Sequence, residues 1–303
     1  MLISTVEMID ITSADTSIAN DLALVAELHQ TTESGCAIEE KLLNSDAVRL
    51  MLCVIAIITA IFGSSWVFLR RKSKQWNIQN HNAVLVAYQF TNLCVNLFLG
   101  LYGMYHYFMT KPAPSKLLVT QRIVGFEQYS TFAMIQICYN LWSLPVGFFL
   151  VEESSTMLFH HVATIISSVI SISCTFGFRY HQPFFFGLIE ISSVPLAIMN
   201  YCKKNKEWEK ENCPGLLNLI RKIFAVTFLT IRVIMYTPNI YDVERSVVMI
   251  LWTSKSLSSQ IGLIIFFFAS LFISILQYYW GALIVKGIIN AVSGVKFKKV
   301  KVE

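Results

Sequence analysis

The chain has 303 residues, 55% hydrophobic and only 14% charged, with a mean hydropathy of +0.56 and a formal net charge of +5. That balance excludes an ordinary soluble domain and points to an all-α, polytopic membrane protein. It does not argue for nucleic acid either, because Lys and Arg fall in short clusters beside apolar runs, where the positive-inside tendency puts them.

Residues 1–47 carry nine carboxylates against the single Lys41. They lack the basic start and apolar core of a secretory signal, and are expected to form an acidic lumenal tail without fixed structure. The competing reading is a short amphipathic helix near "DLALVAELH".

Seven stretches then fit the ~20 apolar residues that a helix needs to cross a bilayer. They are 48–69, 82–109, 126–151, 157–178, 183–201, 219–236 and 258–287. The third contains Pro145, and the last is long enough to tilt. "RSVVMILW", before the last span, is too short to cross and is expected at the interface or as a re-entrant piece. With seven alternating spans, "RRKSK", "KKNKEWEK" with Arg221 and Lys222, and "KFKKVK" all fall on one side, which the charge rule makes cytosolic.

Polar side chains inside lipid are costly, so they should face a bundle interior or a cavity. Residues three, four or seven apart share a helix face. The second span aligns Gln89, Asn92, Asn96 and Gly100; the third, Tyr129, Gln136, Asn140 and Ser143; the fourth, His160, His161, Thr164, Ser167, Ser168 and Ser171. The fifth offers Glu190, Ser193 and Asn200, the sixth Arg221 and Arg232, and the seventh Ser270, Ser274, Gln277 and Gly281. Only the first span lacks such a stripe, so it is expected to pack outside a ring formed by the other six. Much of the Ser, Thr and Gly content is explained by helix packing alone.

Glu190 is not, since a carboxyl at that depth should be protonated or paired. At ~1.5 Å per residue, Glu190 lies ~10 Å and Arg232 ~7 Å from the lumenal ends of their spans, which lets them pair. One reading is an ion pair that fixes helix register. The other is a contact to a lipid head group. His160 and His161 enter from the opposite side, where Asn140 and Gln277 are expected to approach them, giving two polar layers. A desolvated neutral imidazole can serve as general base or acyl-accepting nucleophile, with Glu190 orienting it. A metal site is not expected, because adjacent histidines diverge on a helix, and the seven scattered cysteines suggest neither zinc ligation nor a disulfide framework.

"FHHVATI", "GLIEISSVPLAIMN", "FAVTFLTIRVIMYTP" and "LQYYWGALIVKGI", in that order, resemble the TLC domain of translocation-associated membrane proteins, longevity-assurance-type ceramide synthases and ceroid-lipofuscinosis-type proteins. The likeness is greatest to the small TLC-domain-containing lipid-homeostasis proteins. It implies a six-helix TLC barrel over 82–290, a peripheral helix at 48–69 and a basic cytosolic tail at 291–303. It also implies lipid handling in the endoplasmic reticulum membrane, with membrane lipids as partners and no resident cofactor.

The alternative it implies is an N-acyltransferase with acyl-CoA as co-substrate, whose paired histidines map onto His160 and His161. The two aspartates of that motif fall, without gaps, on Leu188 and Ile191, leaving Glu190 as the only carboxylate nearby. Asn140, Thr164, Ser193, Arg232, Gln277 and Trp280 are the expected cavity residues. A seven-helix receptor or channel also satisfies the helix count, but the last span has no NPxxY-like pattern. "KVKVE" at the end resembles a dilysine retrieval signal formed by Lys299 and Lys301, or is a basic stub at an anionic lipid surface.

Overall fold

The computed structural model describes residues 45–76, 80–117, 119–174, 176–204, 206–253 and 256–293. The expectations for the acidic tail before residue 45, and for Lys299 and Lys301, lie outside the described residues.

Among the described residues the chain is helical, with no strand. The main helices are α1 (Ser45–Trp76), α2 (Asn80–Tyr105), the short α3 (Val119–Val124), α4 (Ser130–Val146), α5 (Ser155–Ser173), the short α6 (Gln182–Phe185), α7 (Ser193–Lys204), α8 (Lys206–Asn212), α9 (Leu216–Phe228), α10 (Tyr236–Thr253) and α11 (Leu257–Val292). Six segments among the described residues are long and apolar enough to cross a membrane: Ser45–Lys72, Ala83–Thr110, Gln121–Val151, Ser155–Ser173, Arg179–Lys203 and Leu257–Val292. The protein is an all-α polytopic membrane protein. The sixth expected span, 219–236, is helical but is not one of these six. It belongs to a longer run in which α9, a π-helical stretch (Leu229–Met235) and α10 follow without a break. "RSVVMILW" continues that run within α10 as no separate segment, with Val247 and Ile250 buried in an apolar cluster.

The contacts close a ring in the order α2, α4, α5, α11, α9–α10, α7 and back to α2. Its outer face is apolar, with Phe98, Phe148, Phe149, Phe159, Ile234 and Phe268 exposed, as lipid contact requires. Helix α1 packs outside the ring against α2 and α4. Ile58 is its one buried described residue, and Phe62 meets the Trp142 ring edge-on, with centroids 5.5 Å apart.

Local irregularities place the polar side chains. Pro145 lies inside α4 and is followed by a π-helical turn, Gly147–Val151. Proline withdraws one backbone donor, and widened turns accommodate such a loss. The fifth expected span is not one helix. It breaks at Gly187 into α6, a 3-10 stretch (Leu188–Ser192) and α7. A Cβ on Gly187 would lie 2.5 Å from the Pro183 carbonyl oxygen and 2.6 Å from the Gly103 Cα, so two glycines let α2 and this break touch backbone to backbone. Arg221 and Arg232, expected on one face, separate. Arg221 is exposed beside Asn218, whereas Arg232 is buried, because the π-helical stretch intervenes and changes the phase.

Candidate functional site

Arg232 is the hub of the ring interior. Its Nε donates to Ser192 Oγ (2.6 Å), Nη1 to Gln277 Oε1 (3.3 Å), and Nη2 to Ser193 Oγ (2.8 Å) and Glu190 Oε2 (3.4 Å). Both partners of the ion pair are sequestered, with side-chain exposures of 8% and 14%. Glu190 is further held by Ser193 Oγ (2.7 Å) and by Gln136 Nε2, which donates to its Oε1 at 3.0 Å. A buried pair tied by this many hydrogen bonds can remain charged in a low-dielectric interior.

The histidines divide. His161 is buried, and its Nδ1 lies 2.5 Å from Asn140 Oδ1. Asn140 directs its amide nitrogen to the Gln136 carbonyl (2.7 Å) and to Gln136 Oε1 (3.0 Å), so its oxygen faces the imidazole and assigns the proton to Nδ1. His161 Nε2 then faces Glu153 Oε2 at 3.4 Å, within ion-pair distance but without hydrogen-bond alignment. Glu153 also accepts from Tyr88 Oη at 3.1 Å. It turns inward because Glu152, just before it, adopts the left-handed conformation (φ 54°), which ends the π-helical turn. His160 has no hydrogen-bond partner for its Nδ1, and its ring lies edge-on to Trp280 with centroids 5.8 Å apart.

Gln277, expected beside the histidines, instead bonds Arg232. Nor do two separate polar layers exist, since Gln136 joins Asn140 to Glu190 in one network. The depth estimate assumed straight helices, and the break at Gly187 relocates Glu190 relative to the fourth span.

This network lies where two cavities meet. A wide chamber is lined by Glu152, Glu153, Asn200 and Lys203 and by Asn92, Asn96, Asn140, Ser193 and Trp280. A narrow one continues between Ser167, Phe178, Phe185, Tyr236, Phe266 and Ser270. His160, Thr164, Glu190 and Arg232 line both. Thr164 donates to the His160 carbonyl, one turn back, which removes its hydroxyl proton from the cavity's donors.

The chain matches the TLC domain family over residues 86–286. It is a TLC-domain protein. The match spans every helix of the ring and leaves α1 outside. Comparison with curated proteins and with solved structures gives no match.

The sequence reading of this TLC-domain protein missed several polar residues. Tyr88 sits one helical turn before Asn92, so the stripe rule could have found it. Glu153 carried no periodic signal, because a left-handed turn directs it inward. A further cluster lies around His181, at the end of the narrow cavity away from the Glu190–Arg232 junction. Arg122 Nη1 contacts both Asp242 oxygens at 3.0 Å, and His181 Nε2 lies 3.2 Å from Asp242 Oδ2. The Lys111 ammonium sits 3.9 Å from the Tyr180 ring centroid and 4.6 Å from that of Tyr107. Burial pushes Lys111 down to about 8, with Asp242 opposing the shift. The hydrogen bond from His181, aided by Arg122, holds the Asp242 carboxyl below its usual value against the effect of burial. Cys174, at the end of α5, is disulfide-bonded, a single bond that the expectation of no disulfide framework did not foresee; cysteine spacing alone does not predict which residues the fold brings together.

Proposed function

We propose that this TLC-domain protein handles lipid in the endoplasmic reticulum membrane, holding an acyl chain or sphingolipid in the ring, with membrane lipids as its partners. The observation that carries the reading is the continuity of the two cavities at His160, Glu190 and Arg232. The wide chamber, the more polar of the two, suits a head group, and the narrow, mostly apolar one suits a chain. The orientation proposed puts the wide chamber toward the cytosol, on the side of the Lys and Arg clusters. The Cys174 disulfide supports it independently, because it lies at the opposite end and disulfides persist in oxidising compartments. Mass-spectrometric identification of lipids that co-purify with the wild type and with His160→Ala/His161→Ala tests this. The reading expects a defined lipid class that is depleted in the variant, and an identical lipid background in both sinks it.

A second reading, an acyl-CoA-dependent N-acyltransferase, is favoured by one observation: His160 Nδ1 is unpaired at the cavity junction. In that reaction an imidazole nitrogen attacks the thioester carbonyl and the C–S bond breaks, releasing the thiol. A lipid amine then takes the acyl group, forming an amide and returning the imidazole. Arg232 supplies positive charge near the site, and Glu190 stands where it can position an amine. Incubation with labelled acyl-CoA and a panel of long-chain amines separates the readings: absence of both turnover and acyl-imidazole removes the enzyme.

A further inference from the structure

The end of the narrow cavity away from the junction has polar chemistry that holding a plain acyl chain does not require. His181 and Gln182 both line it and are 4% and 2% exposed, and each has a buried atom without a partner, His181 Nδ1 and Gln182 Oε1. Their neighbours fix what those atoms can do. Asp242, paired with Arg122, faces His181 Nε2 at 3.2 Å, which draws the imidazole proton to that nitrogen and leaves Nδ1 as an acceptor. Gln182 Nε2 donates to Ser171 Oγ, so its free atom is the carbonyl oxygen; Ser171 in turn donates to the Gly177 carbonyl. Of the nearby donors, Asn239 Nδ2 is committed to the Met235 carbonyl and Tyr107 Oη, and Ser270 Oγ to Glu244, whereas the Ser167 hydroxyl, one turn from Ser171 on the same wall, has no partner. His181 Nδ1 and Gln182 Oε1 are thus two buried acceptors without a donor.

The distance to the junction is consistent along three helices. His160 to Ser171, Arg232 to Val243 and Gln277 to Phe266 each span eleven residues along the cavity wall. At ~1.5 Å per residue that is ~16 Å, about the depth of one leaflet of a ~30 Å hydrocarbon core.

We propose that His181 and Gln182 form a second polar subsite that receives a hydroxyl group at the far end of a bound acyl chain, the head group lying at the Glu190–Arg232 junction. This rests on the lipid-cavity reading above and adds to it the chemistry of the chain's terminus: the ligand is an ω-hydroxylated chain about one leaflet long. A buried hydroxyl that satisfies an otherwise unpaired acceptor is expected to favour that chain about tenfold.

The test is native mass spectrometry of the full-length protein in detergent, with myristate, α-hydroxymyristate and ω-hydroxymyristate supplied in equal amounts. The expected result is about tenfold preference for the ω-hydroxy chain over the other two, lost in Gln182→Met while myristate binding stays. Equal occupancy by myristate and ω-hydroxymyristate overturns the subsite, since solvent then satisfies those acceptors, and leaves the lipid cavity standing. An ω-hydroxy preference unchanged in Gln182→Met also overturns it. Failure of all three chains to bind refutes the lipid-cavity reading itself. If Gln182→Met does not fold, the wild-type comparison of the three chains still decides.

Discussion

Arg232→Met is the most informative single change in this protein. It deletes the cation facing Glu190 and strips hydrogen bonds from Ser192, Ser193 and Gln277 together. Removing one member of a buried pair costs ~3–5 kcal/mol, because the survivor is left charged without compensation. Glu190→Gln is milder at ~2–3 kcal/mol, since Arg232 keeps three neutral acceptors and Gln136 can still donate to an amide oxygen. In the double variant neither charge remains, so its cost should stay near that of Arg232→Met alone, leaving ~2–3 kcal/mol of coupling. Loss of monodispersity on heating in detergent reads this out: ~1 kcal/mol moves the midpoint of a 150–250-residue domain by ~2–4 °C, so Arg232→Met should fall by roughly 6–20 °C. Losses that add to within ~0.5 kcal/mol would refute the pairing. Exchanging the two residues should restore only part of the loss, because a glutamate at 232 cannot donate to Ser192, Ser193 and Gln277.

The two histidines should separate by assay. His161→Ala removes the partner of Asn140 and Glu153 and should lower the heating midpoint by ~1–3 kcal/mol equivalent, whereas His160→Ala should leave stability nearly unchanged and alter the co-purifying lipid; equal destabilisation by both would contradict the division drawn here. Gly187→Ala forces a Cβ against the Pro183 carbonyl and the Gly103 backbone, and should destabilise by ~1–3 kcal/mol, measured in the same way. Lys111 holds fewer protons in the folded state than in the unfolded chain between about 8 and the usual lysine value, so stability should rise with pH across that window. Lys111→Met should flatten the rise, which heating midpoints taken at pH steps through the window would detect.

Periodicity made the ring legible, because a polar stripe on each of six helices has one energetically acceptable direction to face. It also placed Asn140 by the histidines and Glu190 by Arg232, as the structure does. What it could not supply were the departures from regular helix. The break at Gly187 and the π-helical stretch bearing Arg232 each change helical phase, which is why Gln277 and Arg221 fell to the wrong neighbours. Glu153 and His181 come from a turn and a short 3-10 stretch, where no repeat unit exists to signal direction, and Asp242 lies in α10, beyond the expected sixth span. The Cys174 disulfide left no signal in the spacing of the cysteines.

The family match begins at residue 86, yet the packing that supports the site begins earlier. Phe62 of α1 backs the indole of Trp142, which stacks on Tyr88, whose hydroxyl reaches Glu153 beside His161. The Met51 carbonyl likewise accepts from the Cys138 thiol on the same wall. A fragment trimmed to residues 86–286 would leave that wall bare to detergent. The outer helix is therefore a buttress, and any expression strategy for the ring should retain it.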